Sequence, residues 1–302
     1  MCTIVTWPMC RSPTLIGALS PRCFAVSRIE PILSDEDLEV WDIWQRTCLV
    51  HAETRLHKRR VEAAKQAARE ALDHTSPWYA AVSAGKDSAV MLHLIASVAK
   101  SGEAAAASVV DDVEYPGERE QLSALSDCVG IPIEIASPEM STWQAIVDSK
   151  CAIYEPLHDV ASGVSKSAFM PVISRIESKY NGVFLGLRAE ESKYRNVSRA
   201  VRGRLYQRNR VSGVGKLWTS TPIADWRGLD VYAYAFTHSV PLHPLYRCCA
   251  FVHRKDPSRL RLDWWLPGQH GAKGHVQWLR RYYPSLYTKL RGLFADAWQY
   301  TA

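Results

Sequence analysis

Between Trp78 and Leu187 short apolar runs of strand length alternate with stretches of helical periodicity, and this alternation limits the fold more than any other feature. Trp78–Val82, Ala106–Val110, Ile131–Ile135 and Gly182–Leu187 read as four short buried strands. Between the first two, Val90, Met91, Leu94, Ile95 and Val98 recur on one face of a helix, and Glu118–Cys128 gives a second helix. Short buried strands joined by helices require right-handed crossovers and a parallel sheet covered on both faces. In such sheets ligands bind beyond the carboxyl ends of the strands. The loops after Val82, Val110 and Leu187 are therefore expected to carry the chemistry.

Composition excludes several other classes. With 47% hydrophobic and 23% charged residues, the chain is neither disordered, collagenous nor a small disulfide-stapled scaffold. Its 302 residues are enough for a full core. Thirty-seven Lys and Arg against 31 Asp and Glu leave a charge of +6, which hints at anionic partners. No apolar run approaches the roughly 18 residues of a membrane span, so no membrane partner is expected. Eight cysteines show neither a disulfide framework nor paired C-x-x-C spacing, which fits a reduced, cytoplasmic enzyme.

Residues 1–30 are expected to be a disordered tail. Pro8, Arg11, Pro13 and Pro21 interrupt any signal-peptide core, though a targeting segment remains the alternative. Residues 31–76 read as a helical lead-in, opened by Ser34 as N-cap with Asp35, Glu36 and Asp37 in the first turn. A nucleotide-binding α/β domain is expected over 77–247, and an aromatic, basic helical extension over 248–302.

Ser83-Ala84-Gly85-Lys86-Asp87-Ser88 lies between the first strand and its helix. It lacks the Walker spacing but has the parts of an anion cradle: a glycine, a lysine, two hydroxyls and N–H groups at a helix start. Asp87 would cap the helix or hold Mg²⁺. A plain strand-to-helix turn with an exposed Lys86 is the bland alternative. The loop resembles the S-G-G-K-D-S loop of the PP-loop ATP pyrophosphatase superfamily, with Ala84 departing from the commonest form. A positive φ there would cost alanine about 1 kcal/mol.

Two further segments narrow the resemblance to the phosphoadenosine phosphosulfate (PAPS) reductase-like family. Gly186-Leu187-Arg188-Ala189-Glu190-Glu191-Ser192 resembles its G-x-R-x-x-E-S segment. Arg188 there suits bidentate phosphate or sulfate contact, or else a salt bridge to Glu190 or Glu191. Thr221–Trp226, Leu229–Tyr232 and Pro241–Tyr246 resemble the family's P-x-x-D-W…D-V-W-x-Y…P-x-x-P-L-Y stretch. Trp226 and Tyr246 remain open between core packing and ligand contact. Glu114–Glu118 looks like a shortened D-T-G-x-E-Y-P-E segment, with Asp111 or Asp112 near its acid.

The resemblance implies an adenine nucleotide α-hydrolase-like (Rossmann-like) α/β fold with helical additions at both termini. It implies ATP, or PAPS or APS, with Mg²⁺, and cleavage at the α–β bond linked to sulfur transfer or sulfonucleotide metabolism. The expected catalytic residues are Lys86, Asp87 and Arg188. Ser83, Ala84, Gly85, Ser88, Asp111, Asp112, Gly186, Glu191, Ser192, Arg195, Asp225 and Trp226 complete the expected nucleotide site.

The chain departs from the family in lacking a Glu-Cys-Gly-x-His segment, the setting of the reductases' nucleophile. Cys248-Cys249 has no C-x-x-C after it, so no iron–sulfur cluster is expected. Zinc on this pair with His253, a sulfur-carrying thiol and buried inert cysteines are the remaining readings. Lys193–Arg210 is dense in cations with Tyr194 and Tyr206 interleaved, and only Glu190 and Glu191 oppose them nearby. Read as a loop, it would close on phosphates or contact a nucleic-acid backbone. The alternatives are thus a nucleic-acid sulfur-modification component, with a sulfur-donor protein as partner, and a non-catalytic nucleotide-binding protein. Trp264, Trp265, Trp278 and Trp298 among arginines would stack on bases or, at helical spacing, form core; core is favoured for Trp278, Tyr282 and Leu286.

Overall fold

A computed structural model describes residues 30–150, 155–252, 255–262, 265, 272–294 and 296–297. Residues 1–29 of the expected tail over 1–30, and Cys151, His253, Trp264 and Trp298, lie outside the described residues. One sheet holds β1 (Trp78–Ala81), β2 (Ala104–Val109), β3 (Ile133–Ala136), β4 (Gly182–Leu185), β5 (Leu205–Asn209) and β6 (Lys216–Ser220). Their order is β3-β2-β1-β4-β6-β5, parallel throughout except where β5 pairs antiparallel with β6.

The helices are α1 (Asp35–Ala52), α2 (Arg55–His74), α3 (Lys86–Ala96), α4 (Glu118–Val129), α5 (Thr142–Ser149) and α6 (Glu155–Glu177). They continue with α7 (Lys193–Arg202), α8 (Gly228–Thr237), α9 (Ala272–Tyr282) and α10 (Pro284–Leu293). Alternation along β1 explains the layers. Trp78 and Ala80 face a core shared with α2, α3, α4 and α8, whereas Tyr79 faces Val172 and Ile176 of α6. The α3 residues Met91, Leu92, Leu94 and Ile95 are wholly buried, each worth about 1.5–3 kcal/mol relative to exposure. Gly182 opens β4 because Trp78 lies on it: a Cβ there would fall 2.3 Å from the indole.

Ser34 caps α1 as expected, in a reciprocal box with Asp37. Asp37 is fully buried and also accepts hydrogen bonds from Ala250 N–H at 2.8 Å and the Tyr282 hydroxyl at 2.7 Å. Burial raises its carboxyl pKa, but these bonds and those from Ser34 outweigh burial and hold it below the usual value. The same carboxylate thus ties the lead-in to the carboxyl-terminal helices. Trp41 and Trp44 pack with Tyr232, Trp265, Trp278, Tyr282 and Tyr283 in a second core, so these late aromatics are structural.

One expectation is corrected. The basic stretch is not a loop: it forms α7 and the edge strand β5. Ser192 caps α7 by accepting from Arg195 N–H at 3.1 Å. Glu190 and Glu191 are not its only counter-ions. Arg199 and Arg204 pair with Asp225, Arg208 with Glu177, and Arg188 with Asp87, while Arg210 donates to backbone carbonyls of Glu177 and Tyr180.

Candidate functional site

After β1 the chain runs outward to β2 and β3, then returns to place β4 on the other side of β1. The crevice between the carboxyl ends of β1 and β4 is thus the topological switch point. A cleft of about 610 Å³ opens there, lined by Ser83, Gly85, Lys86, Asp87, Ser88, Gly186, Glu191 and Arg195 among others. The expected β1 loop and the β4 strand end therefore meet. Gly186 makes the meeting close: a Cβ on it would lie 2.9 Å from Ser88 N and 3.0 Å from the Asp87 carbonyl carbon and oxygen. Ala84 is buried and outside the positive-φ set, so it carries no strain.

The loop is organised from within. Ser83 N–H donates to Ser88 Oγ at 3.1 Å, Gly85 N–H to Ser83 Oγ at 3.3 Å, and Lys86 N–H to the Tyr246 hydroxyl at 2.9 Å. Of the helix-start N–H groups, that of Lys86 is therefore taken by Tyr246 rather than offered to a ligand, and Ser83 and Gly85 N–H are bonded within the loop. Tyr246 is at once core and cleft wall. Burial pushes its phenol pKa well up, so it stays protonated.

The expectation of a solvent-facing Lys86 is also corrected: the residue is 1% exposed. As the first residue of α3 it lies beside the Tyr246 ring, and its Nζ donates to Leu260 O at 2.8 Å. Nζ also pairs with Asp87 Oδ2 at 3.2 Å. Burial lowers the ammonium pKa, and Asp87 offsets part of that shift. Two of its three donors are committed, leaving one for a ligand.

Arg188, 3% exposed, sits behind the loop. Its Nε donates to Asp87 Oδ1 at 2.5 Å, Nη1 bonds Glu190, and Nη2 lies 3.7 Å from Glu191. Glu191 in turn holds Arg195 and approaches Arg261 at 3.8 Å. Asp87 and Glu191, the two acids lining the cleft, thus face cations on every oxygen. Asp87 has no oxygen to give Mg²⁺ without releasing Lys86 or Arg188, so a Mg²⁺ on Asp87 does not fit this arrangement, whereas Glu191 Oε1 meets its guanidinium groups only at 3.7 and 3.8 Å.

Other expected site residues stand apart from the cleft. Asp112 accepts from Trp143 N–H at 3.0 Å and from Ser141, fixing the start of α5. Asp111 accepts from Val113 N–H at 3.0 Å, and burial raises its pKa. Asp225 binds Arg199 and Arg204, and Trp226 lies in the main core with its indole N–H on Arg60 O. Sequence reasoning missed the apolar wall from α6 (Phe169, Met170, Ile173 and Ile176), whose periodicity looks like ordinary core. It also missed Arg261 as a cleft residue, whereas Arg208, one of the expected phosphate-facing cations of 193–210, does line the cleft. Cys248 and Cys249 are buried, and burial pushes the Cys249 thiol up to about 12 and that of Cys248 higher still.

Known proteins provide an independent comparison. No curated protein matches the sequence. Among solved structures, Candida glabrata FMN adenylyltransferase in complex with FAD and inorganic pyrophosphate is similar at TM-score 0.47 and 11% identity, covering 70% of this chain and 71% of that one. The phosphate complex of PAPS reductase from Candida auris is similar at TM-score 0.44 and 17% identity, covering 70% of this chain and 90% of that one. A family model, the phosphoadenosine phosphosulfate reductase domain, matches residues 77–250. That match takes in the 83–88 loop, the Arg188 segment and the Asp225-Trp226 run, more than half of the chain, which belongs to the phosphoadenosine phosphosulfate reductase domain family.

Proposed function

We propose that this protein binds an adenine nucleotide in the switch-point cleft and cleaves ATP between its α- and β-phosphates, in a reaction linked to sulfur transfer or sulfonucleotide metabolism. One observation carries the reading: the Ser83–Ser88 loop, at the start of α3, opens into a cleft with one cationic end and one apolar wall. The anionic polyphosphate would lie toward Lys86, Arg195 and Arg261, and the flat base toward Phe169, Ile173 and Val109.

In the proposed step an acceptor oxygen attacks the α-phosphorus, the bond to the bridging oxygen breaks, and pyrophosphate leaves with the electron pair. Lys86 and the Ser83 and Ser88 hydroxyls would hold the leaving group. Arg195 and Arg261 would neutralise its growing charge, with Arg188 fixing Asp87 behind them. No step is assigned to Mg²⁺, since Asp87, the expected ligand, has both oxygens paired with Lys86 and Arg188. A thiol-based reduction is disfavoured, because the sequence has no Glu-Cys-Gly-x-His segment and the Cys248 and Cys249 thiols are buried with raised pKa values. The pairing of most cations in 188–210 gives no support to a nucleic-acid partner.

Incubating the purified protein with γ-labelled and α-labelled ATP tests the reading. AMP and pyrophosphate, or an adenylylated acceptor and pyrophosphate, are expected. Labelled orthophosphate with ADP as the product refutes it.

A further inference from the structure

Outside the cleft, the described residues contain a cluster that the nucleotide reading does not use. His51, in the last turn of α1, and His57, near the start of α2, both point at Asp230 in α8. His51 Nε2 lies 2.8 Å and His57 Nδ1 3.2 Å from the same oxygen, Asp230 Oδ1. All three ligand atoms fall within 4.8 Å of one another. Asp230 is wholly buried and His57 is 4% exposed, whereas the His51 side chain keeps 17% exposure.

We propose that His51, His57 and Asp230 form a zinc-binding clip that joins the α1–α2 lead-in to α8. Zinc bonds to imidazole nitrogen and carboxylate oxygen are about 2.0–2.2 Å long, so neighbouring ligand atoms in a tetrahedral site sit about 3.3 Å apart. The two observed nitrogen-to-oxygen distances, 2.8 and 3.2 Å, are already close to that spacing. Small rotations of the two rings would admit the ion, and water would complete the shell on the exposed His51 side.

The surroundings suit such a site. Asp230 Oδ2 is held by Arg60 Nη1 at 2.6 Å and by Arg227 N–H at 2.8 Å, which orients Oδ1 toward the two imidazoles. Arg60 lies across the carboxylate from the ion and keeps its own oxygen. His51 sits at the negative end of the α1 dipole, which favours a cation there. Two imidazoles and one carboxylate select a borderline first-row ion over Mg²⁺ or Ca²⁺, which take all-oxygen ligand sets. The competing arrangement is two imidazole N–H groups donating to one carboxylate; zinc instead requires the lone pairs of those nitrogens.

The test uses the full chain, dialysed against a chelator, desalted and titrated with ZnCl₂, with bound zinc counted by elemental analysis. About one zinc per chain is expected. His51→Gln and His57→Gln should each weaken binding by about 100-fold or more, since losing a direct ligand costs at least what losing an outer-shell partner does. Co²⁺ in place of zinc should give the visible absorption of a four-coordinate site, lost in the double variant. Zinc retained at full stoichiometry by the double variant would place the ion on other residues and overturn the proposal. So would a wild-type protein that takes up no zinc. If the variants fail to fold by circular dichroism, the wild-type cobalt spectrum decides, and absence of that absorption refutes the clip.

Discussion

Replacing Gly186 by alanine tests the closest backbone contact of the cleft. The added Cβ would lie 2.9 Å from Ser88 N and 3.0 Å from the Asp87 carbonyl carbon and oxygen. These are backbone atoms of the first turn of α3, so no flexible side-chain tip can swing away. Gly186 is not among the positive-φ glycines, so alanine adds no torsional penalty and the cost is purely steric. Relieving such an overlap by shifting packed backbone costs about 1–3 kcal/mol. At about 2–4 °C per kcal/mol for a chain of this size class, the melting temperature should fall by about 2–12 °C.

The same shift moves Lys86 and Ser88 relative to the phosphates. A displacement near 1 Å can cost about 100-fold in rate, so turnover should fall further than stability does. Gly182→Ala separates the two effects. Its Cβ would strike the Trp78 indole at 2.3 Å, at the far end of β4 from the loop. It should lower stability and leave nucleotide affinity unchanged in the protein that remains folded. Urea unfolding followed by tryptophan fluorescence, with calorimetric titration of a non-hydrolysable ATP analogue, reads both quantities. A Gly186→Ala protein within about 0.5 kcal/mol of wild type refutes the close approach.

Lys86→Met keeps the stem beside Tyr246 but removes the bond to Leu260 O and the ion pair with Asp87, so unfolding free energy should fall by about 1–3 kcal/mol. Nucleotide turnover should be lost with it, and full activity would dismiss the cradle. Glu114 supplies a pH test, because burial, with Glu118 and Asp111 nearby, raises its carboxyl pKa to about 8. Between about 4.5 and about 8 the folded state holds a proton that the unfolded state has released, so stability declines as pH rises through that window. Glu114→Gln should remove that decline, and unfolding curves at pH 5 and pH 8.5 with equal pH dependence in both proteins would refute it.

Strands β1, β2 and β4 were legible because they are mostly buried and read as continuous apolar runs, and β3 because Ile131–Ile135 is mostly apolar although half of the strand is exposed; the parallel β6 was missed. β5 was missed too, since Leu205-Tyr206-Gln207-Arg208-Asn209 is a polar edge strand flanked by Arg204 and Arg210, which together imitate a solvated loop. The counter-ions of Arg204 and Arg208, Asp225 and Glu177, stand far enough off in sequence to escape a local reading of charge. The loop at 83–88 was legible from its composition and its place after β1. The burial of Lys86 was not, because it depends on a backbone carbonyl at Leu260, brought near only by the fold. Tyr246 looked ambiguous for the same reason: one ring serves the hydrophobic interior and the helix start together. Asp230 read as part of a helix signature, and nothing local marked its meeting with His51 and His57, which lie more than 170 positions earlier.

Leu260 and Arg261 reach the cleft from beyond residue 250, where the family-matched segment ends. A nascent chain that has emerged only that far carries the 83–88 loop but not the carbonyl that anchors its lysine, nor the last guanidinium of the wall. The anchor of Lys86 and that last guanidinium thus depend on chain beyond the matched segment. Trimming the protein to the family-matched segment would remove that carbonyl and guanidinium together with the α2 side chains that cover Trp78.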